Sequence, residues 1–191
     1  MTLGAEGLLA ALRARGAILD GHFKLSSGRH SERFVQKFRL LEDPVMVEDV
    51  AAALVGQLRA VAPTIVVSAA VGGIVLGYEC ARQLGTLGIF VEKEDGVPTL
   101  RRGFVLTPND RVLVVEDVVT TGLSVREIFE VVRAAGATVA AAAIVVRRAA
   151  VDFGVPTIAL LDLPIESYDA AACPMCADGT PLSQPGSRFL V

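Results

Sequence analysis

No apolar run in this 191-residue chain reaches the roughly 18–20 residues that a bilayer-spanning helix needs, because charged residues interrupt every one, so no membrane partner is expected. Cysteine is scarce: three residues make no disulfide framework and point to a reducing, cytoplasmic setting. Excess charge is lacking too. A net charge of −3 and a pI of about 5.4 give no basis for a nucleic-acid partner, so any bound phosphate must be held by a local site. The N-terminal stretch carries Glu6 and has no signal-peptide layout. Internal repeats, low-complexity tracts and linkers are missing, as are Walker, dinucleotide and metalloprotease fingerprints. The absence of tryptophan decides nothing. What the chain does have is apolar residues, 52% against 20% charged, which argues against disorder and provides one domain with a full core.

Residues 112–124, Val-Leu-Val-Val-Glu-Asp-Val-Val-Thr-Thr-Gly-Leu-Ser, organise the rest. Val112 to Val115 read as a buried strand, with Glu116 and Asp117 at its end. Thr120, Thr121, Gly122 and Ser124 then make a hydroxyl-rich turn. An amphipathic helix follows, with Val125, Ile128, Phe129 and Val132 on one face. A helix N-terminus presents free N–H groups and partial positive charge, which suits a phosphate. Gly122 permits close approach or a positive φ, and the hydroxyls add donors. The two carboxylates can accept hydrogen bonds from sugar hydroxyls and stabilise positive charge developing on the ring. A ribose 5-phosphate fits that order of groups.

Other stretches fall into an alternating pattern of helices and strands. Helices are expected over 5–15, closed by Gly16, and over about 45–60, opened by Asp43-Pro44 and ended by Pro63. Thr64 to Ala69 reads as a buried strand. Val71-Gly72-Gly73-Ile74 then turns into a helix running to Leu84-Gly85; the glycines either make a second anion site or merely a tight turn. Leu87 to Glu92, Thr138 to Val146 and Thr157 to Leu161 read as further strands. Residues 93–110 are charged and broken by Gly and Pro, a loop or long hairpin. It is either a lid whose Lys93, Arg101 and Arg102 could meet a leaving pyrophosphate, or a solvated surface loop. Arg147-Arg148 follows a buried strand, where ligands of open parallel sheets bind, and an arginine there can take a carboxylate in bidentate fashion. Cys173 and Cys176 are two ligands, short of the four a structural zinc takes. Cys80 falls in a core helix, so a zinc site would need a second subunit, and no thioredoxin-like context marks a redox pair.

The 112–124 pattern resembles the phosphoribosyl-pyrophosphate (PRPP) signature of type I phosphoribosyltransferases. Phe23, Leu25, Ser27, Gly28 and Ser31 are similar to the hood segment of the orotate phosphoribosyltransferases. The resemblance implies an α/β fold: a mostly parallel sheet flanked by helices, with a small N-terminal hood. The hood would be mainly residues 1–45 with a contribution from 162–191, and the core about 46–161, all within one domain over 1–191. It implies transfer of the phosphoribosyl group from PRPP to orotate, giving orotidine 5′-monophosphate and pyrophosphate in pyrimidine (UMP) synthesis, with Mg²⁺ held mainly by PRPP rather than by protein ligands. A homodimer with a loop crossing between subunits is the implied assembly.

Carried over residue by residue, PRPP would meet Glu116 to Ser124, that is Glu116, Asp117, Val118, Val119, Thr120, Thr121, Gly122, Leu123 and Ser124, together with Gly72 and Gly73. Orotate would meet Thr120, Arg148, Lys24, Ser27 and Gly28. Catalytic roles fall to Asp117, Glu116 and Lys93. Four departures stand out. Arg147 replaces the aspartate that usually precedes the arginine matched by Arg148. Ser26 replaces the lysine that many members carry before Ser-Gly. Gly72 replaces a common lysine, so backbone N–H groups must do more there. The 93–110 loop has no histidine and only Lys93 among lysines. A transferase for adenine or uracil, or a non-catalytic PRPP-sensing regulator, would share the PRPP motif; a carboxylate-binding Arg148 favours orotate, and the acidic charge disfavours a DNA-bound regulator.

Overall fold

The computed structural model describes residues 3–25 and 27–185, so the reading placed on Ser26 lies outside the described residues. The first helix, α1 (Ala5–Ala14), buries Leu8 and Leu12 and is followed by Gly16 at φ 63°. Strands β1 (Ile18–Lys24) and β2 (His30–Val35) pair antiparallel as a small hairpin outside the main sheet, with a bulge between Asp20 and Phe23. A short turn of helix, α2 (Phe38–Leu41), leads into α3 (Pro44–Leu58). Asp43 caps α3 by accepting from the N–H of Val45 and Met46, at 2.9 and 3.3 Å, with Pro44 in the first turn where no N–H is needed.

Then β3 (Ile65–Ala69), α4 (Gly72–Leu84), β4 (Leu87–Glu94), β5 (Val97–Leu100), β6 (Arg111–Val119), α5 (Leu123–Ala134), β7 (Thr138–Arg147) and β8 (Thr157–Asp162) build a six-stranded sheet of order β5-β4-β3-β6-β7-β8. All neighbours pair in parallel except β5, which folds back on β4. Residues 93–110 are therefore half hairpin and half irregular loop. Asp95 and Gly96, at φ 50° and 83°, form the two-residue turn whose positive φ values match strand twist.

Strand alternation sets the two faces of the core. Val66, Leu113, Val115, Ala141, Ala143 and Val145 pack under α1, α3 and α4. Val67, Val112, Val114, Ala142 and Ile144 pack under Val125, Ile128, Phe129 and Val132 of α5. Among the five parallel strands the chain visits β3, moves outward to β4, then returns past β3 to β6, so the winding reverses between β3 and β6. Open sheets bind ligands outside the carboxyl ends of the strands at such a reversal.

After β8 the chain crosses back to the hairpin. Lys24 N–H donates to Ser183 O at 2.9 Å and Ser183 N–H to His22 O at 2.8 Å. His30 and Tyr168 exchange two backbone bonds at 2.9 and 2.8 Å. The tail includes a single helical turn, α6 (Pro174–Ala177), which sets Cys173 and Cys176 against His22 and His30. The cysteine pair thus has imidazole neighbours in its own chain.

Candidate functional site

The winding reversal brings together two strand-to-helix turns. From β3, Ala69 leads through a cis Ala70–Val71 peptide into α4. From β6, the chain passes Glu116 and Asp117 and reaches α5 through Thr120 to Gly122. The sequence pattern puts the carboxylates at the end of that strand. They lie inside it, because β6 continues through Val118 and Val119, which pair with Val146 and Arg147 of β7. Both acids are buried, at 5% and 3% exposure. Alternation separates them: Asp117 shares the side of Leu113 and Val115, toward α4, while Glu116 shares the side of Val112 and Val114, toward α5.

The Asp117 side has a partner that the sequence did not announce. Lys37, just ahead of α2, places Nζ 2.9 Å from Asp117 Oδ2 and 3.1 Å from Oδ1. Gly72 makes this approach possible. A Cβ there would lie 2.2 Å from Asp117 Oδ2 and 2.6 Å from Lys37 Nζ, so any side chain would displace the pair. Gly73 is buried in the first turn of α4 against Ser68, where a Cβ would stand 3.1 Å from Ser68 Cβ; its place is one of close helix–sheet packing. Gly72 itself carries no cation, and the one beside it is Lys37, from 35 residues upstream, paired with Asp117.

On the other side, Glu116 lines an open, polar concavity with Val118 to Val125. Gly122 holds φ 80° as the N-cap of α5 and supplies no side-chain cap; a Cβ there would meet Phe153 and Val151 at 2.9 Å. Thr120, Thr121, Leu123 and Ser124 are exposed around it, and Thr121 Oγ1 accepts from Leu123 N–H at 3.4 Å. Glu116 Oε1 accepts from Asp117 N–H at 3.2 Å, while Oε2 has no hydrogen-bond partner among the described residues. Burial, reinforced by the neighbouring Asp117, pushes the Glu116 carboxyl up to about 8.

The two arginines after β7 separate clearly. Arg147 is engaged with Asp162 at the end of β8, through contacts of 2.6 and 3.0 Å. Arg148 donates its backbone N–H to Val119 O at 2.8 Å, which ties it to the carboxyl end of β6. Its Nε is buried without a partner among the described residues, and burial pulls its pKa down. A partly desolvated guanidinium without a carboxylate is ready to receive one.

The basic residues of the β4–β5 region are placed differently. Lys93 pairs with Glu127 of α5 at 2.7 Å, Arg101 with Glu94 at 3.3 Å and Arg102 with Glu92 at 2.9 Å. Lys24, Ser27 and Gly28 belong to the hairpin. Lys24 is half-buried in β1, and the loop closes through Leu25 N–H to Arg29 O and Gly28 N–H to Leu25 O, with Gly28 at φ 81°.

Residues 39–152 match the profile of the phosphoribosyl transferase domain. The orotate phosphoribosyltransferase of Maricaulis maris is 50% identical over 97% of this chain and 98% of its own length. That of Pelotomaculum thermopropionicum is 48% identical over 96% and 97%. Among solved structures, orotate phosphoribosyltransferase from Aeropyrum pernix matches with a TM-score of 0.68 at 31% identity, covering 81% of this chain and 92% of that one. Adenine phosphoribosyltransferase from Trypanosoma brucei, solved with AMP, pyrophosphate and ribose-5-phosphate, has a TM-score of 0.62 at 19% identity over 80% and 79%, a likeness of fold.

Proposed function

The chain belongs to the phosphoribosyltransferase family, among its orotate phosphoribosyltransferases, and on that footing we propose how its residues share the work. It is a pentosyltransferase that moves the 5-phosphoribosyl group of PRPP to orotate, giving orotidine 5′-monophosphate and pyrophosphate on the route to UMP. The observation that carries the site assignment is the juxtaposition, at the β3–β6 reversal, of two buried carboxylates with an uncapped glycine-led helix start.

The α5 turn from Thr120 to Ser124 takes the 5′-phosphate through backbone N–H groups and hydroxyls, with Val118 to Leu123 forming its wall. Glu116 and Asp117 accept from the ribose hydroxyls and face the ring as it gains positive charge. The reaction then asks little covalent chemistry of the protein; it asks for position and a fixed field. Pyrophosphate lies toward Gly72 and Gly73, where Lys37 supplies the cation that Gly72 does not. Arg148 binds the carboxylate of orotate, and Thr120 and the hood residues Lys24, Ser27 and Gly28 complete the pyrimidine pocket. Lys93, with Arg101 and Arg102, meets the departing pyrophosphate by leaving its present partners. Exposed ion pairs are worth about 0–1 kcal/mol each, so that exchange is cheap.

A Mg²⁺ that arrives on PRPP fits these residues. The site offers hard oxygen donors, including the unpartnered Oε2 of Glu116, and Glu116 and Asp117 would hold the ion through the ribose hydroxyls. When bound, Mg²⁺ supplies neutralisation of the pyrophosphate charge. The protein works as a homodimer: Val71, just ahead of α4, and Val75 and Tyr78 on it leave an apolar stripe, exposed by 73%, 50% and 69%. Three free cysteines suit a reducing cytoplasm. No helix among the described residues is long and apolar enough to cross a membrane.

The test is the loss of orotate absorbance on adding PRPP and Mg²⁺, with adenine and uracil run in parallel. Turnover confined to orotate and abolished in Asp117→Asn supports the reading. PRPP binding without turnover of any base would overturn it.

A further inference from the structure

Four side chains remote in sequence and unused by the transferase chemistry converge where the tail crosses the hairpin. His22, His30, Cys173 and Cys176 place their ligand atoms all within 4.8 Å of one another. His22 Nε2 lies 2.9 Å from His30 Nδ1, 3.5 Å from Cys173 Sγ and 3.7 Å from Cys176 Sγ, and Cys176 Sγ is 3.3 Å from His30 Nδ1. Zinc in tetrahedral coordination holds nitrogen at about 2.0–2.1 Å and thiolate sulfur at about 2.3 Å, which sets ligand atoms roughly 3.3–3.8 Å apart. Of the six separations, three of these four fall in that band, His22–His30 is a few tenths of an ångström short of it, and the two remaining pairs, Cys173 with His30 and with Cys176, lie within 4.8 Å, so that binding would draw the four atoms to one spacing. We propose that these four residues bind one structural zinc ion, fastening the hood hairpin to the C-terminal tail.

The hydrogen bonding of His22 favours a metal over a plain polar cluster. Its Nδ1 lies 2.8 Å from the carbonyl oxygen of Thr180. A carbonyl can only accept, so Nδ1 carries the proton, and in the neutral ring Nε2 presents a lone pair to the other three ligands. This is the arrangement in which an outer carbonyl fixes the tautomer of a ligating histidine. His22, His30 and Cys173 are buried at 3%, 4% and 3% exposure, while Cys176 is exposed and gives the ion its way in. Two sulfurs and two imidazole nitrogens in tetrahedral reach, with no carboxylate, suit zinc and exclude the hard Mg²⁺ of the substrate site.

The fold gives such an ion work to do. A two-stranded hairpin is marginal alone, and the described tail beyond β8 has only single helical turns. The ligands come in two pairs, one on each piece, and binding would order both together. His22 and His30 also bracket Lys24, Ser27 and Gly28. The ion would thus clamp both ends of the loop placed above at orotate, a consequence that rests on that assignment; the site itself does not.

The full chain, purified without chelator and dialysed against metal-free buffer, should carry about one zinc by elemental analysis. X-ray absorption should show two nitrogen and two sulfur neighbours at about 2.0–2.1 and 2.3 Å. Cys173→Ser with Cys176→Ser should lose the metal. Because that variant could misfold, wild-type protein stripped by chelator provides the second arm: adding zinc should raise its melting temperature and shield two thiols from a thiol reagent. Protein that carries no zinc and takes none up on titration would overturn the proposal. So would zinc retained by the double variant, or iron in its place. Each of these outcomes is independent of turnover. A zinc-loaded protein inert toward orotate would keep the site and reject the transferase reading.

Discussion

Lys37→Ala removes the side-chain cation that, among the described residues, meets the Asp117 carboxylate, and its effect can be sized from the geometry. Lys37 Nζ contacts both oxygens, at 2.9 and 3.1 Å, and Asp117 is 3% exposed. Removing one partner of a buried ion pair costs about 3–5 kcal/mol, because the other charge is left stranded. Lys37 is 37% exposed, so water screens part of the interaction, and about 1–3 kcal/mol is the reasonable expectation. For a chain of this size that corresponds to a fall in Tm of roughly 2–12 °C.

Catalysis should suffer on one substrate. If Lys37 supplies the positive charge that Gly72 cannot, kcat/KM for PRPP falls about 10–100-fold while KM for orotate stays within about twofold. Initial rates with each substrate varied in turn, alongside thermal melts, measure both quantities. Lys37→Arg should restore part of the PRPP term, since it keeps the charge but changes its shape. A Lys37→Ala enzyme with unchanged kcat/KM for PRPP would refute the reasoning and return the work to backbone N–H groups. Equal losses on both substrates would also refute it, by making Lys37 a general prop of the hood.

Arg148→Ala should raise KM for orotate about 30-fold or more, the loss of a charge-assisted pair worth roughly 2–3 kcal/mol, whereas Arg147→Ala should leave KM unchanged and lower stability by about 0–1 kcal/mol; comparable effects in steady-state kinetics would reject the distinction. Glu116 titrates higher in the folded chain than its ordinary 4.5. Its contribution to stability is thus full below about 4.5 and lost as pH rises to about 8. Urea unfolding without PRPP should show wild type losing stability relative to Glu116→Gln across that window, and a difference flat with pH would count against the shift. Gly122→Ala puts a side chain at φ 80° and 2.9 Å from Phe153 and Val151. A loss of about 2–5 kcal/mol and weaker PRPP binding are expected, and a calorimetric melt at the wild-type temperature would be the contrary result.

The parts of this protein that were legible in its sequence are those encoded locally. Strands β3, β6 and β7 are near-continuous apolar runs because both sheet faces are covered, and α5 shows its buried face at helical spacing. Asp43-Pro44 and Gly85 mark helix ends by what their own backbones can do. The acid pair and the glycine-led turn are likewise adjacent along the chain, so a thirteen-residue window contains most of the groups proposed to meet phosphate and ribose. Two carboxylates look like a strand's end, yet β6 runs on through them to Val119; they are tolerated inside it only where a ligand, Lys37 or a proton can offset their burial.

What stayed hidden is what the fold assembles from afar. Lys37 and Asp117 are 80 residues apart, and His22 and Cys173 are 151 apart. A single lysine after β2 carries no periodicity, and two histidines eight residues apart have no metal spacing on a helix or strand. Only the antiparallel pairing of the hairpin with its bulge, and the return of the tail across it, converts that spacing into one centre. Counting ligands within the Cys-Pro-Met-Cys motif alone stops at two, because the other two belong to the opposite end of the chain. The same return that closes the candidate metal centre holds the loop beside Lys24, and the chain segment leaving β2 carries Lys37 to Asp117. On the proposed assignment the cation that Gly72 lacks would come from Lys37, on the segment that leaves the hairpin, and the hairpin itself is bonded to the tail through Ser183 and Tyr168. A perturbation of Cys176 should therefore be felt in the hood before it is felt in the sheet: hydrogen exchange in Cys176→Ser should quicken at Phe23 to Ser31 while β6 and β7 stay protected, and uniform protection in both would sever the link argued between tail and hood.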